Sequence, residues 1–143
     1  MRVGPTLDKL LEEYPDDVAV YYKQHPLPMH SHAMLAAEAA LAANAQGKFT
    51  EMHERLLQSS RSLSRETILQ IAQEIGLDIE RFTHDLDTQA YKDVIAKQTQ
   101  EAVSVGATGT PASFVNGHFI SGAQPYEKFK QLVDQELARQ KAP

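Results

Sequence analysis

The sequence contains no cysteine and no tryptophan among its 143 residues. Without cysteine the chain cannot form a disulfide bond, a zinc–thiolate site or a cysteine nucleophile. Its residues are nevertheless 42% hydrophobic and 23% charged, which is enough apolar material for a core, and its length suits one domain. Thiol chemistry is therefore excluded, whereas a folded globular domain is expected.

Positive charge and long apolar runs are also scarce. Lys and Arg number 14 against 19 Asp and Glu, and the resulting net charge of −5 argues against a nucleic-acid-binding surface. No run approaches the roughly 18 apolar residues of a membrane span, and the longest candidate, residues 33–43, is interrupted by Glu38. The start also lacks the apolar segment of a signal peptide. As written, the sequence is expected to be cytoplasmic, without membrane or nucleic-acid partners.

Helical periodicity dominates the first hundred residues. A first amphipathic helix must end before Pro15, and its apolar stripe comprises Leu7, Leu10, Leu11 and Tyr14. An alanine-rich helix is expected from Ser31 to near Gly47, followed by one over residues 50–59. Three further helices are expected to begin at Ser64, Asp78 and Thr88. The apolar face of the last of these would include Tyr91, Val94, Ile95 and Val105.

Strand signals are few. Residues 18–22 (Val-Ala-Val-Tyr-Tyr) are apolar on both faces, which is typical of a sheet strand covered on both sides. Asn116-Gly117 separates two short apolar runs, Ala112–Val115 and His118–Ser121, and this pattern predicts a β-hairpin. A closing helix follows, with Pro125 in its first turn. The pattern predicts a mostly helical α/β domain with three short strands.

No group of residues in the sequence makes a strong catalytic or metal-binding motif. The histidines at positions 25, 30, 32 and 53 include a His-x-His pair, but two imidazoles without a carboxylate or thiol partner favour loop histidines over a metal site. The acidic pairs Glu12/Glu13, Asp16/Asp17 and Asp85/Asp87 are expected to be solvated. No nucleophile-elbow or phosphate-binding motif occurs. We therefore expect no metal, no cofactor and no catalytic residue.

Gly109-Thr110-Pro111 precedes the first hairpin strand, where a cis proline is structurally possible. A cis bond here would leave the backbone groups of Thr110 free to pair with an extended peptide. Because most such bonds are trans, the residues alone favour an ordinary strand entry.

Four stretches of the chain resemble the DsbA-like branch of the thioredoxin superfamily, the protein-disulfide oxidoreductases with a helical insertion. They are Arg-Val-Gly-Pro-Thr-Leu at residues 2–7, Tyr-Lys-Gln-His-Pro-Leu-Pro at 22–28, Gln-Gly-Lys-Phe at 46–49 with Met52-His53, and Val-Gly-Ala-Thr-Gly-Thr-Pro at 105–111 followed by Phe-Val-Asn-Gly at 114–117. The resemblance extends from residue 2 to the end. It implies a single thioredoxin-like α/β domain over residues 1–143, with a helical insertion at about 31–104.

The same resemblance implies that the loop formed by Gly109, Thr110 and Pro111 is a cis-proline loop that binds the backbone of an extended peptide or protein substrate. Members of the family open their first helix with Cys-Pro-x-Cys, preceded by a central strand. This sequence begins at Met1, where the residue after the second cysteine is expected. The expected fold is therefore N-terminally truncated, with its first central strand missing and no catalytic cysteine.

Loss of a central strand would leave open strand edges, which template association. We therefore expect a homodimer or a higher oligomer that pairs these edges, or a gap closed within one chain. If a signal peptide was lost with the truncated segment, the periplasm becomes the alternative location.

Two functions remain open at this point. The first is the body of a DsbA-like thiol–disulfide oxidoreductase, redox-inactive as given because disulfide exchange needs a thiolate. The alternative is a redox-dead module that binds a peptide or a partner along the cis-proline loop. A third possibility, a glutathione-dependent transferase or isomerase with a serine near the first helix, lacks that serine in residues 1–5.

Overall fold

The computed structural model describes residues 3–141, so Arg2, which opens the first of the stretches quoted above, lies outside the described residues. Seven helices and two strands occur in this range. In chain order they are α1 (Gly4–Glu13), α2 (Ala33–Asn44), α3 (Phe49–Gln58), α4 (Arg65–Glu74), α5 (Ile79–Asp87), α6 (Lys92–Ser104), β1 (Ala112–Val115), β2 (His118–Ser121) and α7 (Tyr126–Lys141).

The described residues pack as two units. One unit contains the described part of Met1–Tyr22 and of Gly106–Pro143, and the other is Lys23–Val105. The first, which we call the hairpin unit, contains α1, the β1–β2 hairpin and α7. The second, which we call the helical unit, contains α2 to α6.

The helical unit is built around α2. Because alanine favours helix and allows close approach, α2 buries most of its length against helices that contribute larger side chains. The largest of these buried side chains are Met52, Ile68, Phe82 and Ile95. The predicted N-caps are confirmed at Ser64 and Asp78, whose side chains accept the N–H groups of Thr67 at 3.1 Å and Arg81 at 3.0 Å.

The hairpin unit packs one face of its two-stranded antiparallel sheet against α1 and α7. Its core consists of Leu10, Ile120, Phe129 and Val133. The predicted hairpin is confirmed, with Val115 paired to His118 across the turn. Asn116 and Gly117 both have positive φ, at 46° and 92°, as a tight two-residue hairpin turn requires.

The predicted strand at residues 18–22 is wrong. This segment follows α1 without regular secondary structure, and Tyr21 is 87% exposed. A strand needs a hydrogen-bonded neighbour, and within residues 3–141 the ladder joins β1 only to β2. Apolar composition by itself could not supply that neighbour.

The predicted helix start at Thr88 is also wrong. Thr88 is the C-cap of α5, and its hydroxyl donates back to the C=O of His84 at 2.8 Å. Gln89 then adopts a positive φ of 50°, and α6 begins only at Lys92. Of the residues assigned to its apolar face, Ile95 is buried, whereas Val94 and Val105 are exposed.

Among residues 3–141, no helix has both the length and the hydrophobicity that crossing a membrane would require.

Candidate functional site: the loop before the hairpin

The loop that enters β1 is fixed by few local bonds. The Thr110–Pro111 peptide bond is cis. The N–H of Thr108 donates to the C=O of Gly106 at 3.1 Å, and the N–H of Gly122 donates to the C=O of Pro111 at 3.0 Å. This second bond extends the β1–β2 ladder by one pair, so Pro111 is held at the end of the sheet.

A hollow of about 170 Å³ lies beside this loop. Its lining residues are Gly106, residues 108–112, Phe119, Ser121 and Gly122. None of these side chains is charged, and none is a thiol, imidazole or carboxylate. The hollow can therefore offer backbone hydrogen bonds, two kinds of hydroxyl and one aromatic surface to a ligand, but no acid, base or strong nucleophile.

The backbone of the loop and of β1 presents an unpaired edge. In an antiparallel pair, alternate residues turn their N–H and C=O groups toward the partner strand. The backbone C=O of Pro111 points toward β2, where it accepts the N–H of Gly122. By alternation, the backbone groups of Ser113 and Val115 also point toward β2. Those of Ala112 and Phe114 therefore point to the opposite side. Within the described part of the chain, the N–H and C=O of Thr110 likewise have no hydrogen-bond partner. These groups could pair with an added strand.

One face of the hairpin is aromatic and exposed. Phe114 and Phe119 are cross-strand partners with ring centroids 5.0 Å apart, and they are 43% and 45% exposed. Phe119 also lines the hollow. The opposite face carries Ile120, which is buried in the core. The open edge, the hollow and the two rings therefore form one continuous surface of the hairpin unit.

The histidines singled out in the sequence do not gather with one another or with carboxylates into a group of three ligands among the described residues. His53 stacks on Phe49 with centroids 5.3 Å apart, and burial lowers its pKa. Both ring nitrogens of His25 are buried without a hydrogen-bond partner among the described residues, whereas His30 and His32 are exposed. Across residues 3–141, no group of three His, Cys, Asp or Glu side chains could hold a metal ion.

The acidic pairs do not form an acid–base dyad. Asp87 pairs with Arg65 at 2.5 Å, while Asp85 accepts the Tyr91 hydroxyl at 3.4 Å. Glu13 lies 3.7 Å from Lys130. These three carboxylates each have a polar neighbour outside their own pair, so none of them shares a proton with the other acidic residue of its pair.

Glu136 was not singled out by the sequence, although it anchors the hairpin to α7. It accepts hydrogen bonds from Asn116 Nδ2 at 3.2 Å and from Arg139 at 2.8 Å, and its Oε1 lies 3.1 Å from His118 Nε2. The hydrogen bond from Asn116, supported by His118 and Arg139, lowers the pKa of Glu136. Because these neighbours come from the hairpin as well as from α7, helical spacing alone gave no signal for them.

A second polar cluster joins the end of α1 to α7. The Tyr14 hydroxyl donates to Asp134 Oδ1 at 2.6 Å and also accepts a hydrogen bond from Lys130, whose Nζ is 3.3 Å from Asp134 Oδ2. The hydrogen bond to Asp134 raises the pKa of Tyr14, and the one to Tyr14 raises the pKa of Lys130. The cluster fixes α1 against α7.

A family model described as "DSBA-like thioredoxin domain" matches residues 8–134. Among curated proteins, the Na(+)/H(+) antiporter NhaA of Herminiimonas arsenicoxydans is 37% identical over 116 residues, which is 81% of this chain and 18% of that protein. The antiporter NhaA 3 of Salinispora tropica is 37% identical over 135 residues, which is 92% of this chain and 20% of that protein. The chain thus spans about a fifth of the length of these relatives.

Solved structures agree with the family model. A thioredoxin-like oxidoreductase from Silicibacter pomeroyi DSS-3 has a TM-score of 0.81 at 29% identity, over 99% of this chain and 79% of that chain. A periplasmic thioredoxin-like protein from Salmonella enterica serovar Typhimurium has a TM-score of 0.76 at 30% identity, over 96% and 76%. The fold is thioredoxin-like of the DsbA type, mostly helical with a small two-stranded sheet, and the chain belongs to the DSBA-like thioredoxin domain family.

Proposed function

We propose that the chain is the body of a DsbA-like thiol–disulfide oxidoreductase and that the 143 residues by themselves have no redox activity. One observation carries this proposal: a family match over residues 8–134 in a sequence with no cysteine. Disulfide exchange begins when a thiolate attacks one sulfur of a disulfide, forming a mixed disulfide and releasing the other sulfur as a thiolate. This chain has no sulfur that can take the first step.

We further propose where this protein would hold its substrate. The loop of Gly109, Thr110 and Pro111 would hold the backbone of an extended peptide or protein substrate. The unpaired N–H and C=O of Thr110 and the open edge of β1 support this role, because a peptide added to a sheet edge is bound by main-chain hydrogen bonds. The uncharged hollow beside the loop would accept a side chain of that peptide without selecting for charge.

The redox proposal is tested by insulin reduction with dithiothreitol as the electron donor. The 143-residue chain is compared with the same chain preceded by a β-strand segment and a Cys-Pro-x-Cys motif. We expect the chain alone to match the rate of dithiothreitol alone, whereas the extended chain should reduce insulin faster. The matched control carries serine in place of both added cysteines and should return to the background rate.

Two results would contradict the proposal. Insulin reduction by the 143-residue chain above background would show that its redox inactivity is wrong. An extended chain that folds, as judged by its circular dichroism, and yet gives no acceleration would remove the oxidoreductase assignment.

The location follows from the same proposal. The Salmonella relative is described as periplasmic, and disulfide exchange suits an oxidising compartment such as the periplasm. We therefore favour the periplasmic alternative over the cytoplasmic expectation, which rested on the sequence as written. The transport activity named for the antiporter relatives is not extended to this chain, since it matches 18–20% of their length.

A further inference from the structure

The segment that leads into α2 concentrates side chains that can bind a metal ion. Its sequence, Met-His-Ser-His-Ala-Met at residues 29–34, contains two of the four methionines and two of the six histidines of the whole chain. These four side chains are two thioethers and two imidazoles. The other two methionines, Met1 and Met52, lie 28 and 18 residues away from the ends of this segment in sequence, and Met52 is fully buried.

Two consecutive turns shape this segment. The N–H of His30 donates to the C=O of Leu27 at 3.1 Å, and the N–H of Ala33 donates to the C=O of His30 at 3.0 Å. The second turn runs directly into α2, whose N-cap is His32. These two turns fold residues 27–33 back on themselves, so Met29, His30 and His32 lie within one compact stretch that ends two residues before Met34.

All four side chains are accessible. Met29 is 77% exposed and Met34 is 44% exposed, and His30 and His32 are exposed as well. Within residues 3–141, the rings of His30 and His32 make no hydrogen bond, ion pair or ring contact. In this they differ from His118, which lies against Glu136, and from His53, which stacks on Phe49. Nothing in the described structure competes with a ligand for these two imidazoles.

The ligand types select the metal. Two imidazoles without a third His, Cys, Asp or Glu do not make a zinc site, and no such group of three occurs among the described residues. Thioether sulfur is a soft ligand that favours copper(I), and imidazole also suits copper. We propose that residues 29–34 bind one copper(I) ion through the His30 and His32 imidazoles and the Met29 and Met34 thioethers. This site shares no residue with the loop before the hairpin, and the proposal does not depend on the proposed redox lineage.

The test is an anaerobic titration of the 143-residue chain with copper(I) against a chromophoric copper(I) chelator. Because the chain has no cysteine, thiolates cannot contribute to the binding. We expect one equivalent to bind. A His30→Ala/Met34→Leu chain should bind at least about tenfold more weakly, since even indirect supports of metal ligands are worth 10–100-fold in affinity. The matched control is His84→Ala, which removes an exposed histidine from α5.

A second measurement follows the methionine methyl groups by NMR in the ¹³C-methyl-labelled chain. One equivalent of copper(I) should shift the Met29 and Met34 methyl signals and leave Met52 unchanged. Zinc(II) at the same concentration should shift none of them. The proposal is overturned if the double variant keeps the native affinity, if the His84→Ala control weakens binding equally, or if copper(I) leaves the Met29 and Met34 signals in place.

Discussion

Glu38 and Glu136 are the two buried charged side chains among residues 3–141, and their surroundings shift their pKa values in opposite directions. Glu38 is 3% exposed. Its Oε2 accepts the N–H of Tyr91 at 3.1 Å, while its Oε1 has no hydrogen-bond partner in the described structure. Burial raises the pKa of Glu38, and the nearby Asp85 adds to this, whereas the Tyr91 N–H and Lys92 oppose it. Glu38 therefore joins α2 to the start of α6, but burying its charged form lowers the stability of the fold.

The unfavourable burial of this charge predicts the effect of Glu38→Gln on stability. A carboxyl group whose pKa is raised on folding contributes most to stability below its ordinary value, here 4.5, and the contribution is lost as the pH rises through the folded-state pKa. Glutamine keeps an acceptor for the Tyr91 N–H and has no charge to bury. We expect the variant to gain on the order of 1 kcal/mol in free energy of unfolding at pH 8, because it no longer buries an incompletely paired charge.

Urea unfolding at pH 4 and pH 8 checks this prediction. At pH 4 the variant should show little or none of the gain seen at pH 8. The control Glu54→Gln changes an exposed carboxylate of α3 in the same unit and should give similar stability changes at both pH values. Destabilisation of Glu38→Gln at pH 8 would mean that the charged form of Glu38 is needed by the fold.

At the scale of elements, local signals predicted what is built locally. The side chains of Ser64 and Asp78 each accept the backbone N–H three residues further along the chain. Asn116-Gly117 forms a turn that spans only four residues. Each of these features could therefore be predicted from neighbouring residues. Glu38 and Glu136 could not, because their partners lie 53 and 20 residues away. Residues 18–22 have the composition of a strand, but a strand also requires a neighbour that composition does not specify.

The carboxylate of Glu136 adds polar contacts to the apolar ones that attach the hairpin to α7. Hydrogen bonds from Asn116 and from its other neighbours hold the pKa of Glu136 below its ordinary value of 4.5. Such a group contributes stability that is present above the ordinary pKa and is lost as the pH falls through the folded-state pKa. Glu136→Gln should therefore be less stable than the native chain at pH 7, with the difference shrinking as the pH falls below 4.5.

Urea unfolding across this pH range measures the difference. Glu12→Gln is the matched control, because Glu12 is an exposed carboxylate of α1 in the same unit. Its stability should stay close to that of the native chain throughout. A Glu136→Gln chain as stable as the native protein at pH 7 would show that the hairpin is held to α7 by its apolar contacts alone.

For the whole molecule, periodicity and spacing gave the mostly helical class and the hairpin but no function. The site could be placed at Gly109, Thr110 and Pro111 only through the resemblance, because an uncharged loop carries no chemical signature in sequence. The surface of this site includes the unpaired edge of β1. A single sequence does not show which strand edges are paired, because the partners of a strand can lie far away along the chain. The roles of these three residues and the single-domain assignment stay predictions.

The open edge of β1 leads to a prediction about association. Ala112 and Phe114 direct unpaired backbone groups away from β2, and an unprotected edge can pair with the same edge of a second copy. We expect the 143-residue chain to form a homodimer or a higher oligomer whose mass in light scattering falls on dilution.

Phe114→Lys places a charge on this edge and should give a monomer, because charged side chains, lysine especially, block edge-to-edge pairing. The control Val103→Lys replaces an exposed apolar residue of α6 and should associate like the native chain. A native chain that stays monomeric at all concentrations would show that this edge does not pair between copies, and dissociation of both lysine variants would point to general apolar association instead.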